Sequence, residues 1–388
     1  MSERARRLAE VARVSAKLGV IGFGGPAAHV AMLRVEVVQR RAWVRDDEFV
    51  ELLGATSALP GPGSTQMVLA VGRRHAGWPG LVVAGACFIA PAASLVVFLA
   101  WLYVRYGRVP AVAGVLYGIK PVVVAIVAAA VWGLGRSVAD SGPVPVVVGV
   151  GAAAAFLGGV DPLVVLGTGA VVVTVWRNRS RLARLAGLVG GARGPHLVVP
   201  VLSSAVVRGA TTSRRHVGLG SIVAEFAKLG VIVFGSGYVL WAFLQRDLVH
   251  QLHWLGTGRL LDAVAAGQVT PGPVFTTATF VGYLLAGVPG GVLATLAIFL
   301  PSFVMVAALG PVLARVRRSP WASGGLAGIS AAAVGLMAGV GVILAGKAFV
   351  DPLTVVVAVV AAALLVLARL NTAWLVLAGA AIGALHSV

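Results

Sequence analysis

Residues 58–72 read ALPGPGSTQMVLAVG and residues 269–282 read VTPGPVFTTATFVG. Each stretch sets a Pro-Gly-Pro tripeptide, at 60–62 and 271–273, inside an apolar, helix-like run. Proline removes a backbone donor and its ring clashes with the preceding turn. The glycine between adds freedom to turn sharply. A helix cannot pass through either site. In a water-soluble chain such a tripeptide is an ordinary turn. Within a bilayer a backbone break is tolerated only where it lines a cavity or is covered by protein. The meaning of the two breaks therefore depends on the solvent of the chain.

Composition settles that solvent. Of 388 residues, 59% are hydrophobic and 11% charged, with a mean hydropathy of +0.96. A soluble domain carries about 25% charged residues. Several uncharged runs approach or exceed the roughly 20 residues that cross a hydrocarbon core. An all-α polytopic membrane protein, embedded in a lipid bilayer, is predicted. No cleavable signal peptide is expected, because MSERARRLAE is charged and no compact apolar core with a small-residue cleavage site follows it. The net charge of +18 lies largely in polar connections, where Lys and Arg act as orientation signals. Basic clusters interleaved with aromatics are missing, so no nucleic-acid partner is expected. A lone cysteine, Cys87, gives neither an intrachain disulfide nor a thiolate metal site.

From the first break outward, residues 8–33 are apolar with an interruption at Gly24-Gly25-Pro26, and 34–51 are amphipathic. The amphipathic stretch suits the membrane interface or a cap on the bundle. Spans are expected near 80–104, 111–134, 143–158 and 160–176. Residues 177–217 are Arg-rich and free of acidic residues, the pattern of a linker. The order then starts again. Lys17-Leu-Gly-Val-Ile-Gly-Phe-Gly-Gly corresponds to Lys228-Leu-Gly-Val-Ile-Val-Phe-Gly-Ser at an offset of 211, as do Glu36 with Asp247 and Trp43 with Trp254. One residue is then lost, and Gly72 with Gly282, Pro91 with Pro301 and Gly118 with Gly328 follow at 210. The chain divides into two homologous units, 1–176 and 218–388, joined by the linker 177–217.

Duplication is typical of secondary transporters, whose sites lie between the repeats near the midplane. Arg73, Arg74 and His75 precede the span after the first Pro-Gly-Pro, whereas Arg315, Arg317 and Arg318 follow its counterpart. The positive-inside rule then places opposite ends of equivalent spans in the cytoplasm. Inverted repeats are expected, with about five spans plus a re-entrant element in each half, a cytoplasmic linker and external termini. Arg4, Arg6 and Arg7 run against an external N-terminus, and an extra crossing near 196–210 is one resolution.

Candidate chemistry gathers at the breaks. Gly24, Gly25 and Gly235-Ser236-Gly237 leave backbone N–H groups unobstructed. Pro60, Gly61 and Pro62 before Ser64-Thr65-Gln66, and Pro271, Gly272 and Pro273 before Thr276-Thr277, look like starts of short helices. Helix N-termini attract anions through free donors and the helix dipole. Two such ends facing one another would cage an oxyanion; a packing kink is the plain alternative. Lys17 and Lys228 either attract the anion or snorkel to the interface, and Lys120 adds positive potential. His29 and Glu225 are the titratable candidates for proton coupling, although a hydrogen-bonded His29 and a Glu225–Lys228 helical ion pair are the plainer readings. Arg34 with Glu36 and Arg246 with Asp247 are expected as structural pairs.

Enzyme readings find little support. Only His250 and His253 among seven histidines lie close together, without further ligands at metal-site spacing. No G-x-S-x-G elbow or Walker A sequence occurs. No metal or other cofactor is expected.

Phe23-Gly-Gly-Pro-Ala-Ala-His29, Glu36, Trp43, Leu59-Pro-Gly-Pro62, Gly72, Gly77-Trp-Pro-Gly80 and Pro91, with Phe226-Ala-Lys-Leu-Gly230, Pro271-Gly-Pro273 and Gly282-Tyr283, resemble the chromate transporter family in its long, two-domain form. The resemblance covers essentially the whole chain. It implies a bacterial or archaeal inner-membrane protein that exports chromate, confers resistance and draws on the proton motive force. Its functional region corresponds to Gly24, Gly25, Pro60, Gly61 and Pro62 and their second-half counterparts. Ser15 replaces the Phe usual in the motif, and Gly63 and Gln66 stand where Asn and an acid are common. Gln66 cannot titrate. The expected cargo is a tetrahedral dianion, chromate first and sulfate second, exchanged for protons or a counter-anion. A membrane oxyanion sensor or scaffold is the alternative of another class, although 177–217 is short for the soluble module it needs. A homodimer is a candidate assembly.

Overall fold

Several of the helices begin where proline or a capping side chain starts them. A computed structural model describes residues 2–107, 109–183, 217–234, 237–317, 319–368 and 370–386. The first half holds α1 (Glu3–Ile21), α2 (Gly25–Arg34), α3 (Asp46–Thr56), α4 (Gly63–Tyr106), α5 (Pro110–Asp140), α6 (Pro143–Leu157) and α7 (Pro162–Arg177). The second holds α8 (Leu219–Ile232), α9 (Leu240–Leu244), α10 (Thr257–Val269), α11 (Thr277–Arg317), α12 (Pro320–Ala348), α13 (Pro352–Val366) and α14 (Thr372–His386). Short π-helices cover Val35–Arg40 and Gln245–Gln251. Among the described residues no strand occurs. Proline occupies the first helical position of α5, α6, α7, α12 and α13, where its missing N–H costs nothing. Asp161, Ser319 and Asp351 cap α7, α12 and α13 by accepting backbone N–H bonds.

α4 and α11 are each two helices folded back on themselves. In α4 the backbone leaves helical geometry at Ala76 and Gly77, and in α11 at Ala286 and Gly287. Gly77 and Gly287 take φ of +67° and +63°, a region open to glycine. Eight residues span about 12 Å in a straight helix. Here Gly72 and Gly80 touch instead, as do Gly282 and Gly290. Thr279 and Thr295 exchange a 2.7 Å hydrogen bond between the arms of the second hairpin. The short arm 63–75 is about 20 Å long, less than the roughly 30 Å hydrocarbon thickness. By itself it is too short to cross that core.

Among the described residues four helices are long and apolar enough to cross a membrane, within 63–106, 112–140, 274–308 and 321–348. α6, α7, α13 and α14 have 15, 16, 15 and 15 residues. They lie where spans were expected but measure only about 22–24 Å. The outer surface is apolar: Val147, Leu296, Leu300 and Leu385 are 61–78% exposed. Such a surface suits lipid rather than water. The protein is an all-α, multi-pass membrane protein.

The short helices dock on the opposite half. α6 and α7 pack on α12, and α13 and α14 pack on α5. Glycines allow backbones to meet: Gly118 lies against Gly379 and Gly383, and Gly328 lies against Gly169. Close approach through small residues is the usual source of helix adhesion in lipid. The extra crossing suggested near 196–210, and most of the linker 177–217, lie outside the described residues.

Candidate functional site

The two Pro-Gly-Pro turns meet the opposite half at the ends of α1 and α8. The Gly61 N–H donates to the Val233 carbonyl at 2.6 Å, and the Gly272 N–H donates to the Gly22 carbonyl at 2.9 Å. Gly22 and Val233 are repeat counterparts, so the two bonds are reciprocal. Both glycines hold positive φ, +109° at Gly61 and +97° at Gly272. A Cβ on Gly61 would lie 2.7 Å from Ser302 Oγ, and one on Gly272 would lie 2.6 Å from the Ala92 Cβ. Ala92 and Ser302 are counterparts as well and directly follow Pro91 and Pro301. Each break is thus covered by the partner half, as a non-helical backbone in lipid must be.

The sequence after each turn builds a donor-rich helix start. α4 begins at Gly63 after Pro62, and no side chain caps it. Its first-turn amides have no intrahelical acceptor. Ser64, Thr65 and Gln66 are 4%, 0% and 0% exposed. The Gln66 side-chain amide donates to the Pro60 carbonyl and lies 3.5 Å from Ser302 Oγ. The Thr65 hydroxyl and the Gln66 Oε1 are buried without a hydrogen-bond partner in the protein. Buried polar atoms of that kind call for an explanation, a bound ion among them. In the second half the start is tighter. The Thr276 hydroxyl donates back to the Pro273 carbonyl at 2.8 Å, and Thr277 donates to the Val274 carbonyl at 2.9 Å.

His29 sits at the same seam. It is 1% exposed, with Nε2 2.8 Å from the Gly22 carbonyl oxygen and Nδ1 3.4 Å from Ser64 Oγ. One carbonyl therefore meets both His29 and the Gly272 N–H. Gly24, at φ +103°, and Gly25, at φ +77°, open α2 and carry His29 toward the turn. In the second half Gly237 opens a 3-10 turn and packs near Val274 and Phe275. Gly235 and Ser236 lie outside the described residues.

The lysines are placed differently. Lys17 pairs with Glu36 at 2.6 Å, and its counterpart Lys228 pairs with Asp247 at 2.8 Å. Lys228 also meets Glu225 at 2.6 Å, the helical pair expected from spacing. Both lysines are near two-fifths exposed, and among the described residues neither makes a hydrogen bond or ion pair with a Pro-Gly-Pro turn. Their charge is locally balanced by carboxylates. Arg40 and Arg41 complete the cluster around Glu36, and the neighbouring cations hold that carboxyl below its ordinary 4.5, Lys17 foremost through its hydrogen bond.

Two expected placements change. Arg34 pairs with Asp46 through two 2.8 Å bonds rather than with Glu36, which lies two residues on and so off its helix face, and Glu36 goes to Lys17. Lys120 is not a free positive charge. Asp262 of the other half pairs with it at 2.8 Å and accepts a 2.7 Å bond from the Tyr103 hydroxyl. Nothing in the spacing of residues 103, 120 and 262 could have joined them. Arg246 pairs with Asp247 as expected, at 3.3 Å, and also with Asp161 across the halves. Among the described residues no group of three His, Cys, Asp or Glu side chains is placed to hold a metal ion.

The family model described as "Chromate transporter" matches twice, over residues 9–174 and 220–384. A probable chromate transport protein of Synechococcus elongatus is 33% identical over 353 residues, covering 89% of this chain and 86% of its own. A chromate transport protein of Cupriavidus metallidurans is 31% identical over 367 residues, with 94% and 90% covered. One from Pseudomonas aeruginosa is 32% identical over 328 residues, with 83% and 77% covered. No solved structure matches the chain. Two family matches that together take in both Pro-Gly-Pro turns, and relatives aligned over most of their length, lead to one conclusion: the chain belongs to the chromate transporter family, a family of membrane transporters rather than enzymes.

Proposed function

We propose that the protein is a secondary transporter that exports chromate, with sulfate as the second choice of cargo, across a bacterial or archaeal cytoplasmic membrane and so confers chromate resistance. The observation that carries this reading is the reciprocal seating of each Pro-Gly-Pro turn on the other half, through the Gly61–Val233 and Gly272–Gly22 bonds. In a family whose characterised names specify chromate transport, that seam is the place to hold the ion. The uncapped start of α4 offers backbone N–H groups, and Ser64 and Thr65 add hydroxyls. Neutral donors suit a dianion that must bind and then leave, whereas a bidentate arginine clamp would slow release. Lys17 and Lys228, being paired, contribute background potential rather than direct ligation.

The halves are read as inverted. Five residue contacts support that reading. The arm 63–75 runs against 78–106, since Gly72 meets Gly80 and Leu69 meets Gly85. It runs along the second arm of α11, since Gly61 lies at Ser302 and Arg73 donates to the carbonyls of Val306 and Ala307 at 2.7 and 2.6 Å. Equivalent arms 78–106 and 288–317 then point in opposite directions. Rocking of one half on the other would expose the seam to each side in turn. His29 is the coupling group this arrangement favours over Glu225, because His29 touches the seam and Glu225 touches Lys228.

Chromate uptake into everted membrane vesicles, with sulfate as competitor and with an uncoupler, tests the proposal. Uptake that collapses with the uncoupler is expected. Uptake indifferent to the uncoupler removes proton coupling, and sulfate flux without chromate flux replaces the cargo. No flux of either ion favours the sensor reading. Pro60→Ala is expected to lower flux with normal membrane insertion.

A further inference from the structure

A cavity lined by basic side chains lies away from the seam. A cavity of about 560 Å³ opens where the start of α1, the turn after the first π-helix and the tip of the α4 hairpin converge. Arg6, Glu10, Arg41, Trp43, Arg74 and His75 line it. Trp43 and His75 stack with ring centroids 4.0 Å apart, and the Arg41 guanidinium lies 5.8 Å from the Trp43 ring. Arg41 is tethered from outside by Glu36 at 3.4 Å, and Arg74 by Glu48 at 3.1 Å. A guanidinium has five N–H donors, so each tether fixes the group and leaves donors unused. Glu10 is taken up by His75 at 3.2 Å. Arg6 has no ion-pair partner among the described residues.

The repeat supplies an internal control. The second half keeps the same backbone: Ala42 and His253 take φ of +50° and +52°, and the Trp43 and Trp254 N–H groups donate to Val37 and Leu248 at 2.8 Å each. At the offsets already established, Arg6, Arg41, Arg74 and His75 correspond to Val217, Leu252, Leu284 and Leu285. The turn is thus built without the cations, and the fold does not require them. An orientation signal requires basic residues near a membrane face, not their convergence on one aromatic-walled cavity.

We infer that this cavity binds a phosphate-like oxyanion on one membrane face, supplied either by a free inorganic anion or by the headgroup of an anionic phospholipid. The site is independent of which ion is transported.

The test uses the full chain, purified in neutral detergent. Tryptophan emission is followed during titration with sodium sulfate and sodium phosphate, with sodium chloride holding ionic strength constant. Trp43→Phe identifies the part of the signal that belongs to this cavity and separates it from the seam. Saturable, Trp43-dependent binding is expected, weakened about tenfold or more in R6Q/R74Q, the equivalent of losing one charge-assisted contact of ~1.4 kcal/mol. R74K, which keeps charge but loses the planar fork, is expected to fall between. Phosphatidylglycerol vesicles that give the Trp43 signal where sulfate and phosphate do not identify the lipid source. The inference is overturned if no anion or anionic vesicle gives a Trp43-dependent signal. It is equally overturned if R6Q/R74Q, eluting normally on size exclusion, binds as the wild type does.

Discussion

Replacing Gly272 by alanine probes the seam most directly. The residue holds φ +97°, and a Cβ there would lie 2.6 Å from the Ala92 Cβ of the opposite half. Left-handed backbone costs a non-glycine residue about 1–2 kcal/mol. Overpacking of a tight contact adds about 1–3 kcal/mol. The sum is roughly 2–5 kcal/mol, and every 1.4 kcal/mol is a factor of about ten in an equilibrium. If the cost falls on the state in which the halves are seated, that state is depopulated at least 30-fold, and chromate flux falls accordingly. The assay is flux in reconstituted vesicles alongside the thermal midpoint of the detergent-purified protein. Adding Ala92→Gly removes the overlap but not the backbone strain, so partial recovery is expected. Gly159→Ala is the control: φ is +85° there, yet nothing lies within 4 Å of its Cβ. It should lower the midpoint through strain alone and leave flux intact. Wild-type flux in Gly272→Ala, or no recovery from Ala92→Gly, would refute the reasoning.

Three further outcomes follow from other contacts. Glu36 is held below its ordinary 4.5 by surrounding cations. A carboxylate depressed in the folded state contributes stability in full above the unfolded pKa and loses it as pH falls through the folded value. The difference in thermal midpoint between wild type and Glu36→Gln should therefore be constant from about pH 8 to about pH 5 and shrink below that; a constant difference to low pH would sink the assignment. Asp262→Asn leaves Lys120 without its carboxylate between the halves and should cost about 3 kcal/mol, with Lys120→Met in the same chain recovering much of it. Equal midpoints for the single and double variants would show that the pair is not coupled. Gly118→Leu forces a side chain into the backbone of Gly379 and should abolish the monodisperse protein, whereas Gly135→Ala, with open space around it, should be neutral.

The legible part of the fold was whatever depends on local covalent chemistry and on the solvent. Apolar runs longer than the bilayer requires, prolines at helix starts and a repeat kept in register by Gly, Pro and Trp are all one-dimensional signals. They yielded the membrane class, the positions of α5 to α7 and the place of both breaks. The Gly77 and Gly287 reversals were visible only as repeat markers, because a Gly-x-Pro-Gly motif does not say whether the chain bends or doubles back. The Glu225–Lys228 pair was placed from its i, i+3 spacing and is found at 2.6 Å, and His29, singled out because it follows the Gly-Gly break, has the hydrogen-bonded setting of its plainer reading.

The partners were another matter. Which carboxylate Lys17 or Lys120 meets depends on helices that lie up to 142 residues apart, as with Lys120 and Asp262. Spacing along one helix cannot carry that information. Even Glu36, near in sequence to Arg34, goes to Lys17, because side chains two apart on a helix do not share a face. The sequence by itself determined that this chain lives in lipid, carries the same Gly, Pro and Trp motifs twice and breaks its helices at two matching points, because hydrophobicity, proline and glycine act on the nearest residues. Only the tertiary structure decided that each break is closed by the other copy, since a buried N–H takes whichever carbonyl the packing of distant helices brings within reach.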